Sequence, residues 1–263
     1  MDIRGKNIAL TGATGGIGRA IASQLSREGA TLILVARNEQ RLTALVDELG
    51  GDHTAVSADL GDDEGRRKVV DACRDAGIDM LINAAGINEF NLFEKQSAST
   101  IRAMLEVNLL SPILLTQDLL PVLRQQEQGR IVNIGSTFGS IGYPGFSGYC
   151  ASKFGLRGFT EALRRELGDT NIRVSYVAPR ATRTDLNSDT VVAMNDELGT
   201  AMDDPSLVAR EVMRVIRGPA NRDKYIGWPE KIFVRINALF PALVDNSLRK
   251  QLPTIRRFAT SKP

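Results

Sequence analysis

The chain has 263 residues, 33 Lys and Arg against 31 Asp and Glu, a net charge of +2, and 43% hydrophobic positions. That length suits one domain, or one domain with an appendage, and is enough to bury a sizeable core. A charge this small excludes a duplex-binding protein that works by neutralising phosphates, so no nucleic acid is expected as a partner.

One histidine, His53, and two isolated cysteines, Cys73 and Cys150, exclude the common zinc ligand patterns, and no metal is expected. No G-x-S-x-G elbow supplies a nucleophile for a serine triad. Two unspaced cysteines also give no disulfide framework, which fits a reducing, cytoplasmic setting. Met1 to Gly5 lacks the apolar stretch of a signal peptide, and no run approaches the roughly 20 apolar residues that span a bilayer. A soluble protein is expected, or one that touches a membrane surface peripherally.

Short apolar runs recur at Asn7–Leu10, Thr31–Ala36, His53–Ala58, Asp79–Asn83, Arg130–Gly135, Arg173–Ala178 and Lys224–Trp228. Each is apolar on both faces, as a strand buried between helix layers must be. Amphipathic stretches of helix length lie between them, at 17–28, 38–49, 62–76, 98–126, 147–168 and 205–217. Strand, helix and strand at this spacing predict an α/β fold with a doubly wound parallel sheet over residues 1–228.

The first run leads into Thr11-Gly12-Ala13-Thr14-Gly15-Gly16-Ile17-Gly18 and then a helical pattern. Glycines there let the backbone approach a pyrophosphate at a helix N-terminus, where free N–H groups and the dipole favour negative charge. A plain tight turn is the alternative. The position between first strand and first helix favours dinucleotide binding, with Thr11, Gly12, Thr14, Gly16, Ile17 and Gly18 as contacts. After the second run the acidic residue that would hold ribose hydroxyls is missing, since the chain reads Val35-Ala36-Arg37-Asn38. Ala36 does not repel a 2′-phosphate, and Arg37 can pair with one through its planar fork. NADP(H) is therefore expected ahead of NAD(H), unless Arg37 is merely a solvated arginine. Asp59 either hydrogen-bonds an adenine edge, with Leu60 packing nearby, or caps the next helix.

Tyr149 and Lys153 stand four apart on one helix face, and no other tyrosine of the chain has a lysine at that spacing. A free phenol titrates near pKa 10, at about the limit of usefulness, and a neighbouring cation favours its phenolate. Ser136 follows the fifth run, at a strand's carboxyl end where open α/β sheets place ligands, and its hydroxyl can hold a substrate carbonyl. A loop serine is the alternative there.

Thr11–Gly18, Asn83-Ala84-Ala85-Gly86, Asn108, Ser136, Tyr149 and Lys153, in this order, resemble the motifs of the short-chain dehydrogenase/reductase family. The resemblance implies a Rossmann-type fold of about seven strands, a nicotinamide cofactor and no metal. It implies that Tyr149 is the general acid for carbonyl reduction and that Lys153 lowers its pKa and binds the nicotinamide ribose. By the same resemblance Ser136 polarises the carbonyl and Asn108 supports a water-linked proton relay. Asn83, Ala84, Ala85 and Gly86 would steady the central sheet and line the adenosine ribose. A homodimer or homotetramer through 98–126 and 147–168 is also implied.

Two segments depart from that pattern. Val177-Ala178-Pro179-Arg180-Ala181-Thr182-Arg183-Thr184 has arginine where the family usually has glycine after the proline. Pro179 and Thr184, with Thr182 as a substitute, are expected near the carboxamide. Arg180 is expected to reach cofactor phosphates or an anionic substrate, or else to point outward. The polar stretch 181–204 resembles a mobile lid.

The second departure is the tail. Ile232, Phe233, Ile236, Leu239, Phe240, Leu243 and Val244 recur at helical spacing and predict one amphipathic helix; Leu248, Leu252, Ile255 and Phe258 form a second run. From residue 228 there are seven basic and two acidic side chains, so the tail is +5 and the remainder −3. Residues 229–263 thus read as a basic helical extension that packs on its own cleft, clamps a subunit partner, rests on a membrane surface or docks an acidic acyl carrier.

Phe138, Tyr143, Phe146 and the tail are expected to line an apolar cleft, with Arg180 or Arg183 meeting an anionic head. The leading substrate class is a 3-oxoacyl thioester or another lipophilic ketone, and the alternative is a steroid-like or other secondary alcohol. A non-catalytic dinucleotide-sensing protein is a further alternative, but it would be expected to lose Tyr149 or Lys153.

Overall fold

The computed structural model describes residues 1–218 and 223–260. Its strands are β1 (Asn7–Thr11), β2 (Thr31–Ala36), β3 (Thr54–Ser57), β4 (Met80–Asn83), β5 (Gly129–Ile134), β6 (Ile172–Ala178) and β7 (Lys224–Tyr225). They form one sheet in the order β3-β2-β1-β4-β5-β6-β7, with every neighbouring pair parallel. Chain order reverses between β1 and β4, which opens a crevice at the carboxyl ends of the strands.

The strands are apolar on both faces because both faces are covered. Ile8, Leu10, Leu32, Leu34, Met80 and Ile82 pack under helices α1 (Gly16–Arg27), α2 (Glu39–Leu49) and α8 (Pro205–Arg217). Their alternate neighbours Ala9, Ile33, Val35 and Leu81 pack on the other side under α3 (Asp63–Ala76), α5 (Ser111–Arg124) and α6 (Ser147–Glu166). Each fully buried Leu or Ile contributes about 1.5–3 kcal/mol. This is the doubly wound fold expected from the sequence.

Several boundaries differ from expectation. β3 begins after His53, whose ring accepts from the Leu32 amide at 3.2 Å and pairs with Ser26 Oγ at 2.9 Å, so the only histidine fastens the sheet. β7 stops at Tyr225, well before Trp228. The stretch expected as one helix over 98–126 is α4 (Ala98–Leu105), a wider π turn at Glu106–Leu110, and then α5. Residues 98–124 are long and apolar enough to cross a bilayer by length and composition, contrary to the sequence reading. Leu115, Leu119 and Leu123 of this stretch are nevertheless fully buried against the sheet, as in a core helix. Within the polar stretch after β6, Ser188 caps a short helix, α7 (Asp189–Glu197), whose Val191 and Met194 are buried.

The tail holds two helices, α9 (Glu230–Leu239) and α10 (Pro241–Thr260), where one was expected across 232–244. Pro241 has no N–H to continue α9, and it forces Phe240 out of helical geometry, at φ −138° and ψ 64°. Ile255 of α10 is buried among Met104, Phe146, Tyr149 and Met194. Asn237 donates to the Ser140 carbonyl at 2.9 Å, and Arg257 pairs with Glu197. Lys262, counted in the tail charge, lies outside the described residues.

Candidate active site

A cavity of about 720 Å³ runs along the carboxyl ends of β1, β4, β5 and β6 and passes beneath α9 and α10. At one end it is bounded by the N-terminus of α1, then Arg37, Asp59 and Leu60; at the other by Ser136, Tyr149 and Lys153. Its volume lies within the range of cofactor and small-molecule sites.

Gly12, Thr14, Gly16, Ile17 and Gly18 all line this cavity. Gly12 has φ +66°, and a Cβ there would lie 2.7 Å from Ala85 Cα, so the turn admits no side chain. Gly15 caps α1 without any side-chain hydrogen bond, which leaves the first N–H groups of the helix open toward the cavity. That is a cradle for a pyrophosphate. Thr11 does not line the cavity; its Oγ1 accepts from the amides of Ala84 and Ala85 at 3.0 and 3.1 Å and ties the two loops together. Ala84, Ala85 and Gly86 do line it. Asn83 instead sits inside the sheet, donating to Asn133 Oδ1 at 2.9 Å, and Asn133 in turn donates to Thr160 Oγ1 at 2.9 Å.

The strand β5 delivers Ser136 just past its end. A Cβ at Gly135 would fall 1.9 Å from Tyr176 Cζ, so the glycine makes room for that ring. The Tyr176 hydroxyl donates to the Ser136 carbonyl at 3.0 Å and accepts from its amide at 3.1 Å. Ser136 Oγ accepts from the Phe138 amide at 3.1 Å, which orients the hydroxyl. Tyr176→Phe is expected to lower kcat about tenfold by loosening Ser136 and to cost about 1–3 kcal/mol of stability, with cofactor affinity unchanged. Steady-state kinetics with thermal melts would check this, and an unaltered kcat would deny Tyr176 a positioning role.

Tyr149 and Lys153 lie one turn apart on α6, both buried, with Lys153 Nζ 5.7 Å from the centre of the Tyr149 ring. Nζ donates to the Ile134 carbonyl at 3.1 Å. Burial pushes the Tyr149 phenol up to about 12, opposed by a hydrogen bond from Ser136. Burial likewise draws Lys153 down to about 8. The sequence reading had Lys153 lowering the tyrosine's pKa. In the ligand-free chain, loss of hydration is the dominant cause of the shift at both groups.

Asn108 occupies the π turn and is fully buried, outside the cavity wall. Its Oδ1 accepts from the Ile87 amide at 2.8 Å, and its Nδ2 donates to the Ile87 carbonyl at 2.8 Å and to Ser152 Oγ at 3.0 Å. Ser152 Oγ in turn donates to the Tyr149 carbonyl at 2.7 Å. The side chain braces the loop after β4 against α6.

Arg180 lines the cavity and is also held by protein partners. Its guanidinium donates to Asp203 at 2.7 Å, to Glu230 at 3.2 Å and to the Trp228 carbonyl at 3.0 Å. It therefore clips the end of β6 to the segment before α8 and to the start of α9. Arg183 is exposed and does not line the cavity, unlike Arg180. Pro179, Thr182 and Thr184 do line it; the Thr184 methyl would lie 2.5 Å from a Cβ placed on Gly16.

Phe138, Tyr143, Phe146 and Tyr149 form one aromatic wall, with Phe138 and Tyr143 stacked at 4.9 Å. The Tyr143 hydroxyl donates to Gln251 of α10 at 3.0 Å. Phe233, Ile236, Val244 and Leu248 of the tail close the roof.

Arg41, Ser152 and Tyr176 are site residues that the sequence reading missed. Arg41, in the first turn of α2, lines the cavity four positions beyond Arg37, a spacing visible in the sequence. Tyr176 is a fully buried phenol in β6, and such a hydroxyl needs a partner. Nothing local marks Ser152.

An open crevice with an uncapped helix at one end and a Ser, Tyr, Lys cluster at the other defines a nucleotide-dependent oxidoreductase. A family model described as short chain dehydrogenase matches residues 6–194. The 3-oxoacyl-[acyl-carrier-protein] reductase of Bos taurus is 38% identical over 195 residues, 73% of this chain and 81% of its own. The corresponding FabG protein of Vibrio cholerae is 36% identical over 203 residues, 76% and 82% of the two chains. A solved short-chain dehydrogenase from Streptomyces avermitilis covers 93% of this chain and 97% of its own with a TM-score of 0.82 at 27% identity. The chain belongs to the short-chain dehydrogenase/reductase family and is an NAD(P)-dependent oxidoreductase acting on alcohol or carbonyl groups. The family match ends within α7, so α8, α9 and α10 lie beyond it.

Proposed function

We propose that this protein reduces the carbonyl of a hydrophobic substrate with NADPH, a 3-oxoacyl thioester being the leading substrate class. The observation that carries the reading is the convergence of Ser136, Tyr149 and Lys153 on a cavity walled by aromatic side chains and roofed by apolar ones from the tail. The relatives named as 3-oxoacyl-[acyl-carrier-protein] reductases support the thioester class.

The residues fit a nicotinamide dinucleotide: an uncapped helix terminus for the pyrophosphate and two arginines, Arg37 and Arg41, at the adenosine end with no carboxylate at Ala36. The bound nicotinamide would supply the hydride that the carbonyl carbon accepts. Ser136 Oγ donates to the carbonyl oxygen and polarises it. Tyr149, neutral in its buried site, gives its hydroxyl proton to that oxygen as a general acid. Lys153, positioned by Ile134, stabilises the phenolate left behind. Phe138, Phe146 and the tail exclude water from the reacting atoms.

Arg37→Ala is expected to weaken NADPH binding about 10- to 100-fold, the worth of a charge-assisted pair, and to change NADH binding by no more than about twofold. Fluorescence titration with both cofactors checks this, and an equal loss for both refutes the phosphate role. NADPH consumption against a panel of 3-oxoacyl thioesters and lipophilic ketones tests the function itself. Tight NADPH binding without turnover on any of them would sink the thioester reading.

Leu105, Leu110 and Phe154 stand exposed on the α4, α5 and α6 side, and we infer that a homodimer or homotetramer forms there. The two cysteines, Cys73 and Cys150, are free and buried, which supports a cytoplasmic setting.

A further inference from the structure

The two tail helices present apolar side chains both to the cavity and to solvent. One side closes the cavity through Phe233, Ile236, Val244 and Leu248. The other faces solvent with Trp228 (68% exposed), Leu239 (72%), Phe240 (60%) and Leu243 (61%), beside Ile232 and Phe233. Six of the eleven large hydrophobic side chains left exposed among the described residues thus fall within 228–243. The elbow Leu239-Phe240-Pro241-Ala242-Leu243 carries no charge, and each of its residues is exposed. A monomeric soluble protein rarely leaves such a patch without a partner.

The same two helices expose basic side chains. Lys231 and Arg235 on α9, and Arg249, Lys250 and Arg256 on α10, have no acidic partner within ion-pair distance among the described residues. Of the two acidic residues in the tail, Glu230 is held by Arg180, which leaves Asp245 against five cations.

We propose that this elbow seats on an anionic lipid bilayer. A two-fold contact with a second copy would set two surfaces of the same positive sign against each other. An acidic protein would satisfy the cations, but it gives no reason for Leu239 and Phe240 to protrude. Anionic lipid satisfies both features, with apolar side chains entering the acyl boundary and cations meeting headgroups. Phe233 and Leu243 belong both to the patch and to the cavity lining, so the cavity meets the surface where the lipid would lie. A lipophilic ketone dissolved in the bilayer then reaches Tyr149 without crossing water. This last step rests on the reductase reading, whereas the seating itself does not.

The chain's single tryptophan, Trp228, lies in the patch and reports on it directly. The test uses the full chain, without cofactor or substrate, and phosphatidylcholine vesicles with about 30% phosphatidylglycerol. Expected are a blue shift of the Trp228 emission, co-sedimentation with the vesicles, release by raised salt, and affinity about tenfold lower for pure phosphatidylcholine. Leu239→Ser combined with Phe240→Ser, outside the cavity lining, is expected to weaken vesicle binding at least about tenfold. Turnover of a water-soluble ketone by that variant stays within about twofold of the parent, which shows that the fold is intact. Absence of shift and sedimentation at saturating lipid overturns the proposal, and so does binding that the double variant retains. A shift that grows with protein concentration in the absence of lipid overturns it in favour of a second copy. A shift with an acidic carrier protein but not with vesicles overturns it in favour of that partner. Vesicle binding without turnover would instead count against the reductase reading alone.

Discussion

Tyr149→Phe is expected to lower kcat for carbonyl reduction by about 100- to 10,000-fold, the usual contribution of a positioned general acid. NADPH binding should stay within about twofold, because the ring and its packing against Phe138 and Phe146 survive. Stopped-flow reduction and a cofactor titration on the same preparation separate the two, and a variant that turns over like the parent denies Tyr149 the proton-transfer role. The pH profile carries a second expectation. With the phenol up at about 12, Tyr149 holds its proton throughout the neutral range and is ready to donate. Lys153, drawn down to about 8, loses its charge as pH rises through that value. The support for the departing phenolate goes with it, so reduction should fall above about pH 8. A rate that stays flat to pH 10 would show that Lys153 keeps its proton.

Lys153→Met should abolish turnover and yet make the ligand-free protein more stable. An unfolded lysine titrates near 10.5, and burial brings the folded one to about 8, so between those values the unfolded chain holds more protons and stability rises with pH. Below about pH 8 the full penalty of a buried ammonium is present, of the order of 3 kcal/mol. Loss of the hydrogen bond to the Ile134 carbonyl offsets about 1 kcal/mol of what methionine recovers. The net expected at pH 7 is a gain of about 2 kcal/mol, or roughly 4–8 °C in Tm for a chain of this size. Calorimetry without cofactor decides it. A Tm that falls would mean that the charge is well satisfied in the fold. Stability given up for a working charge is a common feature of active sites.

How far the site could be read depended on how local each signal was. The glycine loop, Tyr149 with Lys153, and Ser136 after an apolar run each announce themselves within a few residues, and all line one cavity. Arg180 gives no such local signal, because its partners Asp203 and Glu230 lie 23 and 50 positions away. Tyr176 is separated from Ser136 by 40 positions, and their contact exists only because β5 and β6 are neighbours.

The sequence by itself determined the doubly wound sheet, since residues alternating along strands such as Ile8, Ala9 and Leu10 all had to be apolar to meet helices on both faces. It also determined the chemistry available at the strand ends. Tertiary structure alone decided three further matters. The tail broke at Pro241 and folded over the cavity, with Ile255 anchored beside Tyr149. Asn83 and Asn108 were drawn into hydrogen bonds with scaffold groups far away in the sequence. The pKa values of Tyr149 and Lys153 moved apart, because burial is a property of the whole fold that four-residue spacing does not reveal.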